Sequence, residues 1–264
     1  MKVLAIVLAS TALWGQTPYS RDEIPKLPGL LWEDAKSVAQ APASWDASDW
    51  KALGLGAAAV LGTAVLLDKT LDDASKRNHT DARDRLATNL ARPGGTAGLV
   101  LMGAGYLGFT VLGKDEPRSV IVDMGVATVL AQAAILPLKY GAGRARPLDG
   151  KGTHDFRALS SQDGFPSGHA AQAFAMASVI SMRSTEPWVG WCAYGAAGLV
   201  GVARLGTRDH FASDVVAGAL VGTVMGRAVV RVNEGIRSHA GRAAFSVEPA
   251  FSPGFKGVTV TARF

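Results

Sequence analysis

Residues 188–203 read WVGWCAYGAAGLVGVA, a stretch without a single charged side chain. Apolar and polar residues do not alternate along it, and it is longer than an ordinary strand, so it is predicted to be a helix. Five more apolar segments have the same character, and they lie near residues 52–67, 97–113, 119–138, 168–182 and 212–230. The predicted fold class is therefore all-α, a six-helix bundle.

The composition favours a bundle embedded in a membrane. Of the 264 residues, 48% are hydrophobic and 31 are glycine. Gly218, Gly222 and Gly226 share one helical face, which suits close contact between helices. Several segments approach the length of about 20 residues that a membrane span needs. Small residues also suit the buried helices of a soluble protein, so a soluble periplasmic bundle is the alternative.

The first 50 residues indicate export. Lys2 precedes an apolar run from Val3 to Leu13, which is typical of a signal peptide or an uncleaved anchor over residues 1–15. Residues 16–50 carry four prolines and are predicted to be an extended lead-in. The expected cellular location is the cell envelope.

The remaining chain divides into a helical domain, residues 51–240, and a tail, residues 241–264. The tail has short β-branched runs around Ser252-Pro253-Gly254, a turn signal, and is predicted to be a β-hairpin. A charged segment at residues 68–95 is predicted to be a polar helix over one end of the bundle.

Charge and cysteine content narrow the function classes. The formal net charge is +5, which favours anionic lipids or phosphates as partners. No basic and aromatic interleaving is present, so nucleic acid is not expected. Cys192 is the only cysteine, which excludes an intrachain disulfide; its apolar neighbours predict a core position.

Three polar clusters stand at the ends of apolar segments. They are Lys139 with Arg146-Pro147, Pro166-Ser167-Gly168-His169, and Arg204 with His210 and Asp214. The first cluster ends the third predicted helix, the second opens the fourth, and the last lies between the fifth and sixth. In an up-down bundle these ends share one face.

The residue types in these clusters indicate phosphate chemistry. Three converging cations suit a multiply charged anion. Ser167 is placed to cap a helix whose first N–H groups, at Gly168 and His169, would point at that anion. His210 and Asp214 are four residues apart, so that Asp214 would accept from one imidazole nitrogen and leave the other free to attack phosphorus.

Together the clusters resemble the three-part signature of the type-2 phosphatidic acid phosphatase family. That family includes bacterial acid phosphatases, lipid phosphatases and vanadium haloperoxidases. The resemblance implies that His210 is the nucleophile, that Asp214 orients it, and that His169 protonates the leaving oxygen. It also implies that the phosphoryl oxygens are held by five residues: Lys139, Arg146, Ser167, Gly168 and Arg204. Ala203 departs from the family, which often has serine there.

The expected function is a metal-independent phosphatase that uses a phosphohistidine intermediate and no cofactor. Its expected substrate is a phosphomonoester or diphosphate of a lipid. The expected location is the inner membrane with a periplasm-facing site. A soluble periplasmic acid phosphatase of broad specificity and a vanadate-dependent haloperoxidase are the alternatives.

Several charged residues beside the clusters receive no role. Arg144 is expected to be exposed to solvent, and Asp209 to lie on the surface. His154, Asp155 and Asp163 fall in the long connection 148–165, which has the length of a lid. They are not assigned as metal ligands.

Overall fold

The computed structural model describes residues 27–240, 244–252 and 255–263, with side chains described for residues 31–32 and 34–233. This part of the chain is mostly helical. Its nine helices are α1 (Leu27–Gln40), α2 (Ala47–Leu66), α3 (Asp68–Arg77), α4 (Asp81–Ala91), α5 (Thr96–Val111), α6 (Asp115–Ala142), α7 (Gly168–Arg183), α8 (Pro187–Gly206) and α9 (Ala212–Ala240). Two antiparallel strands follow, β1 (Ala244–Ser252) and β2 (Phe255–Arg263).

Some predicted features lie outside the described residues. The signal peptide or anchor at residues 1–15 and the lead-in up to residue 26 are among them, and so are Pro253 and Gly254 of the predicted turn. They stay predictions.

The six predicted apolar segments lie within α2, α5, α6, α7, α8 and α9. The predicted number of helices is nevertheless too low, because α1, α3 and α4 add to it within the described residues. The extended lead-in is wrong over residues 27–40, which form α1. Pro28 falls in the first turn of α1, where its missing N–H costs little, and Pro42 lies beyond its end.

The polar segment at residues 68–95 forms two helices instead of one. Thr80 interrupts it by capping α4, its Oγ1 accepting from the backbone N–H of Arg83 at 3.3 Å. After α4, a short 3₁₀ turn at Arg92–Gly94 leads into α5, and the chain bends by 47° between the two helices.

Helix α7 is at the centre of the bundle and packs against α6, α8 and α9. A glycine seam, formed by Gly218, Gly222 and Gly226 of α9, lets α9 approach the α7 backbone. A Cβ atom at Gly222 would lie 2.1 Å from the carbonyl oxygen of Ala171. The glycines thus set the distance between the two helices.

The outer surface of the bundle is apolar. Large exposed aliphatic side chains project from α2, α5, α6, α8 and α9, among them Leu55, Leu101, Val129, Leu199 and Val224. Three helices are long and apolar enough to cross a membrane, namely α2, α6 and residues 212–233 of α9, and the bent pair of α4 and α5 would add a fourth. A soluble bundle would turn polar residues outward here, so these faces mark a membrane protein.

Tryptophans gather at the bundle end away from the three clusters. Trp45 and Trp50 stack edge to face at 5.0 Å beside the start of α2. Trp188 and Trp191 lie exposed in the first turns of α8. This placement is typical of a membrane interface. Cys192 lies on the same apolar surface, so the prediction of a core position is wrong.

Candidate active site

Four helix ends bring the three polar clusters to one end of the bundle. Lys139 lies in the last turn of α6, and Gly168 and His169 open α7. Arg204 lies in the last turn of α8, and Asp214 lies in the first turn of α9. Because α7 packs against the other three helices, the side chains from these ends face a common space.

A glycine turn redirects the chain after α6. Gly143 has a φ of +52°, and a Cβ atom there would lie 1.7 Å from the carbonyl oxygen of Arg157. Only glycine fits this left-handed position at such close range. The turn carries residues 144–146 across the end of the bundle, where Ala145 N–H donates to the Asp155 carbonyl at 3.0 Å.

Two carboxylates bridge the three cations of the site. Arg146 donates from Nε and Nη2 to the Asp163 carboxylate at 2.9 and 2.8 Å. Lys139 Nζ donates to the Asp163 backbone carbonyl at 2.5 Å and lies 3.9 Å from its carboxylate. Asp209 lies 3.0 Å from Arg204 Nη2 and 3.6 Å from Arg146 Nη1. Asp163 and Asp209 therefore belong to the site, which the sequence alone does not predict.

The pairing of Arg146 with Asp163 keeps both groups charged. The Asp163 hydrogen bond raises the pKa of the Arg146 guanidinium above its ordinary value. Burial alone would raise the pKa of the Asp163 carboxyl, but Arg146 and then Lys139 outweigh burial and lower it.

The start of α7 is held by side chains and backbone of its neighbours. Ser167 is fully buried, and its Oγ accepts from the Ala170 N–H at 3.4 Å as the helix cap. Its own N–H donates to the Asp214 carbonyl at 3.0 Å. Gln132 Nε2 donates to the Gly168 carbonyl at 3.1 Å. The first turn of α7 thus has a fixed direction, with its positive dipole end toward the cations.

His210 is buried, and its closest described partner is a backbone group. Its Nδ1 donates to the Gly164 carbonyl oxygen at 2.7 Å, whereas the Asp214 Oδ2 atom lies 3.9 Å away. The expectation that Asp214 directly orients the ring therefore needs correction in this structure. With the proton on Nδ1, the other ring nitrogen, Nε2, carries the free electron pair.

Asp214 is held by a buried network. Arg144 Nη1 donates to Asp214 Oδ1 at 2.6 Å and to Ser213 Oγ at 2.7 Å. Arg144 Nη2 donates to Asp68 Oδ2 at 2.8 Å. The Phe211 N–H donates to the second oxygen of Asp214 at 2.7 Å. Asp214 therefore fixes the backbone directly after His210, at Phe211, rather than the His210 ring.

Arg144 is almost fully buried, so its predicted exposure to solvent is wrong. Its guanidinium carbon lies 5.0 Å from the Phe156 ring centre and 4.4 Å from that of Phe211. Asp68 is also buried and accepts from both the N–H and the Oγ of Ser213. The signal in the sequence is the place of Asp68, which directly follows the apolar run of α2.

His169 borders an open cavity. This cavity has a volume of about 440 Å³, and its lining includes His169, Arg204 and Asp209. It also includes Asp84, Thr88 and Arg92, which lie in and just after α4. The imidazole also lies against Gly95, where a Cβ atom would come within 2.7 Å of Nε2.

Both histidines are neutral near pH 7 in this arrangement. Burial, followed by the positive charge of Arg204, lowers the pKa of His169 to about 4. The same causes, in the same order, hold the pKa of His210 well below its ordinary value. Neutral imidazoles are suited to nucleophilic attack. In the described part of the chain, no group of three or more His, Cys, Asp or Glu side chains could hold a metal ion.

A buried histidine, three cations and a helix N-terminus meet at one end of a helical bundle with apolar outer faces, and this arrangement is suited to an oxyanion. Residues 120–237 match the family model of the PAP2 superfamily. The matched part of the chain includes every site residue that the three clusters predict.

Three individual proteins are also similar to parts of this chain. A lipid A 1-phosphatase of Porphyromonas gingivalis is 34% identical over 133 residues, or 49% of this chain, and the chain spans only 26% of that relative's length. Among solved structures, Aquifex aeolicus LpxE is similar over 62% of this chain and 95% of its own, with 24% identity and a TM-score of 0.47. A transmembrane PAP2-type phosphatidylglycerolphosphate phosphatase from Bacillus subtilis is similar over 80% and 97%, with 22% identity and a TM-score of 0.46.

Proposed function

We propose that this protein is a membrane phosphatase that hydrolyses a phosphomonoester or diphosphate of a lipid through a phosphohistidine, without a metal. The observation that carries the proposal is the setting of His210. Its ring is neutral and fixed at Nδ1 by a backbone carbonyl. Arg204, Lys139 and Arg146 are all close enough to lower the pKa of the His210 ring.

In the first step, Nε2 of His210 attacks phosphorus and forms an N–P bond. The bond from phosphorus to the leaving oxygen breaks, and that oxygen takes a proton from His169. The Gly164 carbonyl stabilises the positive ring that forms, because it accepts the Nδ1 proton. In the second step, His169 takes a proton from water, whose oxygen attacks phosphorus and releases phosphate and neutral His210.

His169 must carry a proton to serve as the acid. In the substrate-free site its pKa is about 4, with burial and Arg204 as the main causes. A phosphoryl dianion bound beside Arg204 brings negative charge next to the ring and raises that pKa. Substrate binding itself would thus charge the acid.

Three cations and the helix start hold the phosphoryl oxygens in this proposal. Lys139, Arg146 and Arg204 supply charge, and the first N–H groups of α7 supply directed donors. Ser167 acts as the cap that aims those N–H groups, since its Oγ accepts from Ala170. Asp214 acts at one remove, through the backbone around His210.

The substrate is proposed to be a lipid because the site lies at one end of an apolar-faced bundle. The lipid A 1-phosphatase relative, by its name, acts on a phosphorylated lipid. The cavity beside His169 is lined mainly by polar side chains. It would suit a hydroxylated or charged leaving group, and the hydrocarbon chains would remain against the outer helix faces.

The site is proposed to face the periplasm from the inner membrane. The apolar start of the sequence supports export, and labelling would test the orientation. A single cysteine introduced as Arg157→Cys, in a Cys192→Ser background, would be treated with an impermeant thiol reagent. Labelling of intact spheroplasts supports a periplasmic site, whereas labelling only after lysis contradicts it.

The activity itself is tested by phosphate release from a panel of lipid and soluble phosphates by the purified protein in detergent. We expect release from a lipid phosphate and none above background from the His210→Ala variant. Equal release by both proteins would exclude this mechanism. Vanadate should inhibit; turnover of halide and peroxide that depends on vanadate would instead favour a haloperoxidase.

A further inference from the structure

We propose that the carboxylate of Asp163 occupies the phosphate-binding donors of Arg146 in the substrate-free protein and is displaced by the phosphoryl group. The inference rests on the proposed function, because it requires Arg146 and Lys139 to bind phosphoryl oxygens.

The geometry of the contact is that of an oxyanion. Two Asp163 oxygens accept from Nε and Nη2 of Arg146 at 2.9 and 2.8 Å. Two phosphoryl oxygens would take this same side of the guanidinium. The carboxylate also lies 3.9 Å from Lys139 Nζ. A substrate phosphate and the Asp163 carboxylate therefore compete for the same donors.

The side chain of Asp163 is free to leave while its backbone stays. Among the described residues, its carboxylate contacts only Arg146 and Lys139, and it is 49% exposed. Lys139 holds the Asp163 carbonyl at 2.5 Å, and the next residue, Gly164, donates to the Arg144 carbonyl at 2.8 Å. Rotation of the side chain would thus open the guanidinium without moving the Gly164 carbonyl that holds His210.

Asp209, the other carboxylate of the site, is tied down more firmly. Its Oδ2 accepts from Thr207 Oγ1 at 2.5 Å as well as contacting Arg204 at 3.0 Å. It is only 20% exposed. Asp209 is therefore expected to remain beside Arg204, and Asp163 is the carboxylate that yields.

A resident carboxylate has a chemical consequence. It weakens the binding of every phosphoryl anion, including the inorganic phosphate left after hydrolysis. Asp163 would therefore favour release of the inorganic phosphate product.

The test is inhibition by orthovanadate and inorganic phosphate of the full chain in detergent, with a soluble short-chain lipid phosphate as substrate. We expect Asp163→Asn to lower both inhibition constants about two- to fivefold, the range that a half-exposed ion pair contributes. Asp163→Glu should stay near wild type, because its carboxylate still reaches the guanidinium. Asp155→Asn is the matched control, since Asp155 pairs with Arg157 in the same connection.

An unchanged or higher inhibition constant in Asp163→Asn would overturn the proposal and make Asp163 a residue that positions Arg146. A thermal melt shows whether Asp163→Asn folds; loss of folding would make the carboxylate structural and overturn the proposal too. The proposed function fails separately, if wild type releases no more phosphate than His210→Ala.

Discussion

Arg144 and Asp214 form a hydrogen-bonded ion pair with an Nη1–Oδ1 distance of 2.6 Å, and both side chains are almost fully buried. Arg144→Ala would leave Asp214 and Asp68 as buried carboxylates without their cation. We expect a loss of about 3–5 kcal/mol in the free energy of unfolding, measured by thermal or denaturant melting in detergent. Lys69→Ala, which removes an exposed cation from α3, should melt like wild type. Equal stability of Arg144→Ala would contradict the network's structural role.

The two histidines should respond differently to the leaving group. His210→Ala removes the covalent step and should abolish phosphate release from every substrate. His169→Ala should slow release from an alkyl phosphate about 10²–10⁴-fold, the usual contribution of a general acid. With p-nitrophenyl phosphate the loss should be smaller, because that leaving group departs without a proton. Equal losses on both substrates would rule out His169 as the acid of the first step.

The pH dependence of kcat/KM should show an acid preference. His169 has a pKa of about 4, lowered mainly by burial and then by Arg204. Above that pKa its protonated fraction grows about tenfold for each unit by which the pH falls. His210 also has a lowered pKa and stays the neutral nucleophile. We expect kcat/KM to rise from pH 7 toward pH 5, and His169→Ala to lose most of that rise. An identical profile in this variant would contradict the assignment.

Arg146 should require its guanidinium shape as well as its charge. Arg146→Lys keeps one positive charge but loses the two parallel donors that now hold Asp163. We expect kcat to fall about 10²–10³-fold if these donors act mainly on the transition state, with melting close to wild type. Arg157→Lys, an exposed arginine of the nearby connection, is the control and should keep its kcat.

The glycine seam between α7 and α9 should not tolerate a single methyl group. A Cβ atom at Gly222 would lie 2.1 Å from the Ala171 carbonyl oxygen, so the helices would have to separate. We expect Gly222→Ala to destabilise the protein by about 1–3 kcal/mol, measured by thermal melting. Gly195→Ala of α8 has no described atom within 4 Å of the new methyl and should be neutral. Equal melting temperatures for the two variants would contradict the seam.

Much of this fold follows from patterns that the sequence displays directly. The long apolar segments became helices because they must bury or embed their side chains, and cluster spacing placed Lys139, His169 and Arg204 at helix ends. The helices α1, α3 and α4 are short and mixed in polarity, so their boundaries depend on local caps such as Thr80.

The parts of the site that could not be predicted from the sequence depend on contacts between distant residues or on backbone atoms. Asp68 contacts Arg144 across 76 positions of the chain, and it begins a helix whose next charged residue, Lys69, is exposed. The contact that holds His210 is made by the backbone carbonyl of Gly164. Every residue has such a carbonyl, so the sequence does not mark this one. Asp163 is one of several acidic residues in a long connection, and the sequence does not show that Lys139 fixes its backbone.

The bend between α4 and α5 separates two groups of residues that line the same cavity. His169 and Arg204 belong to the packed helices α7 and α8, whereas Asp84, Thr88 and Arg92, which line the same cavity, belong to the segment before the 47° bend. Substitutions in that segment would change which leaving group fits while the reacting atoms keep their places. New substrate preferences are therefore open to evolution, or to an engineer, through this segment alone.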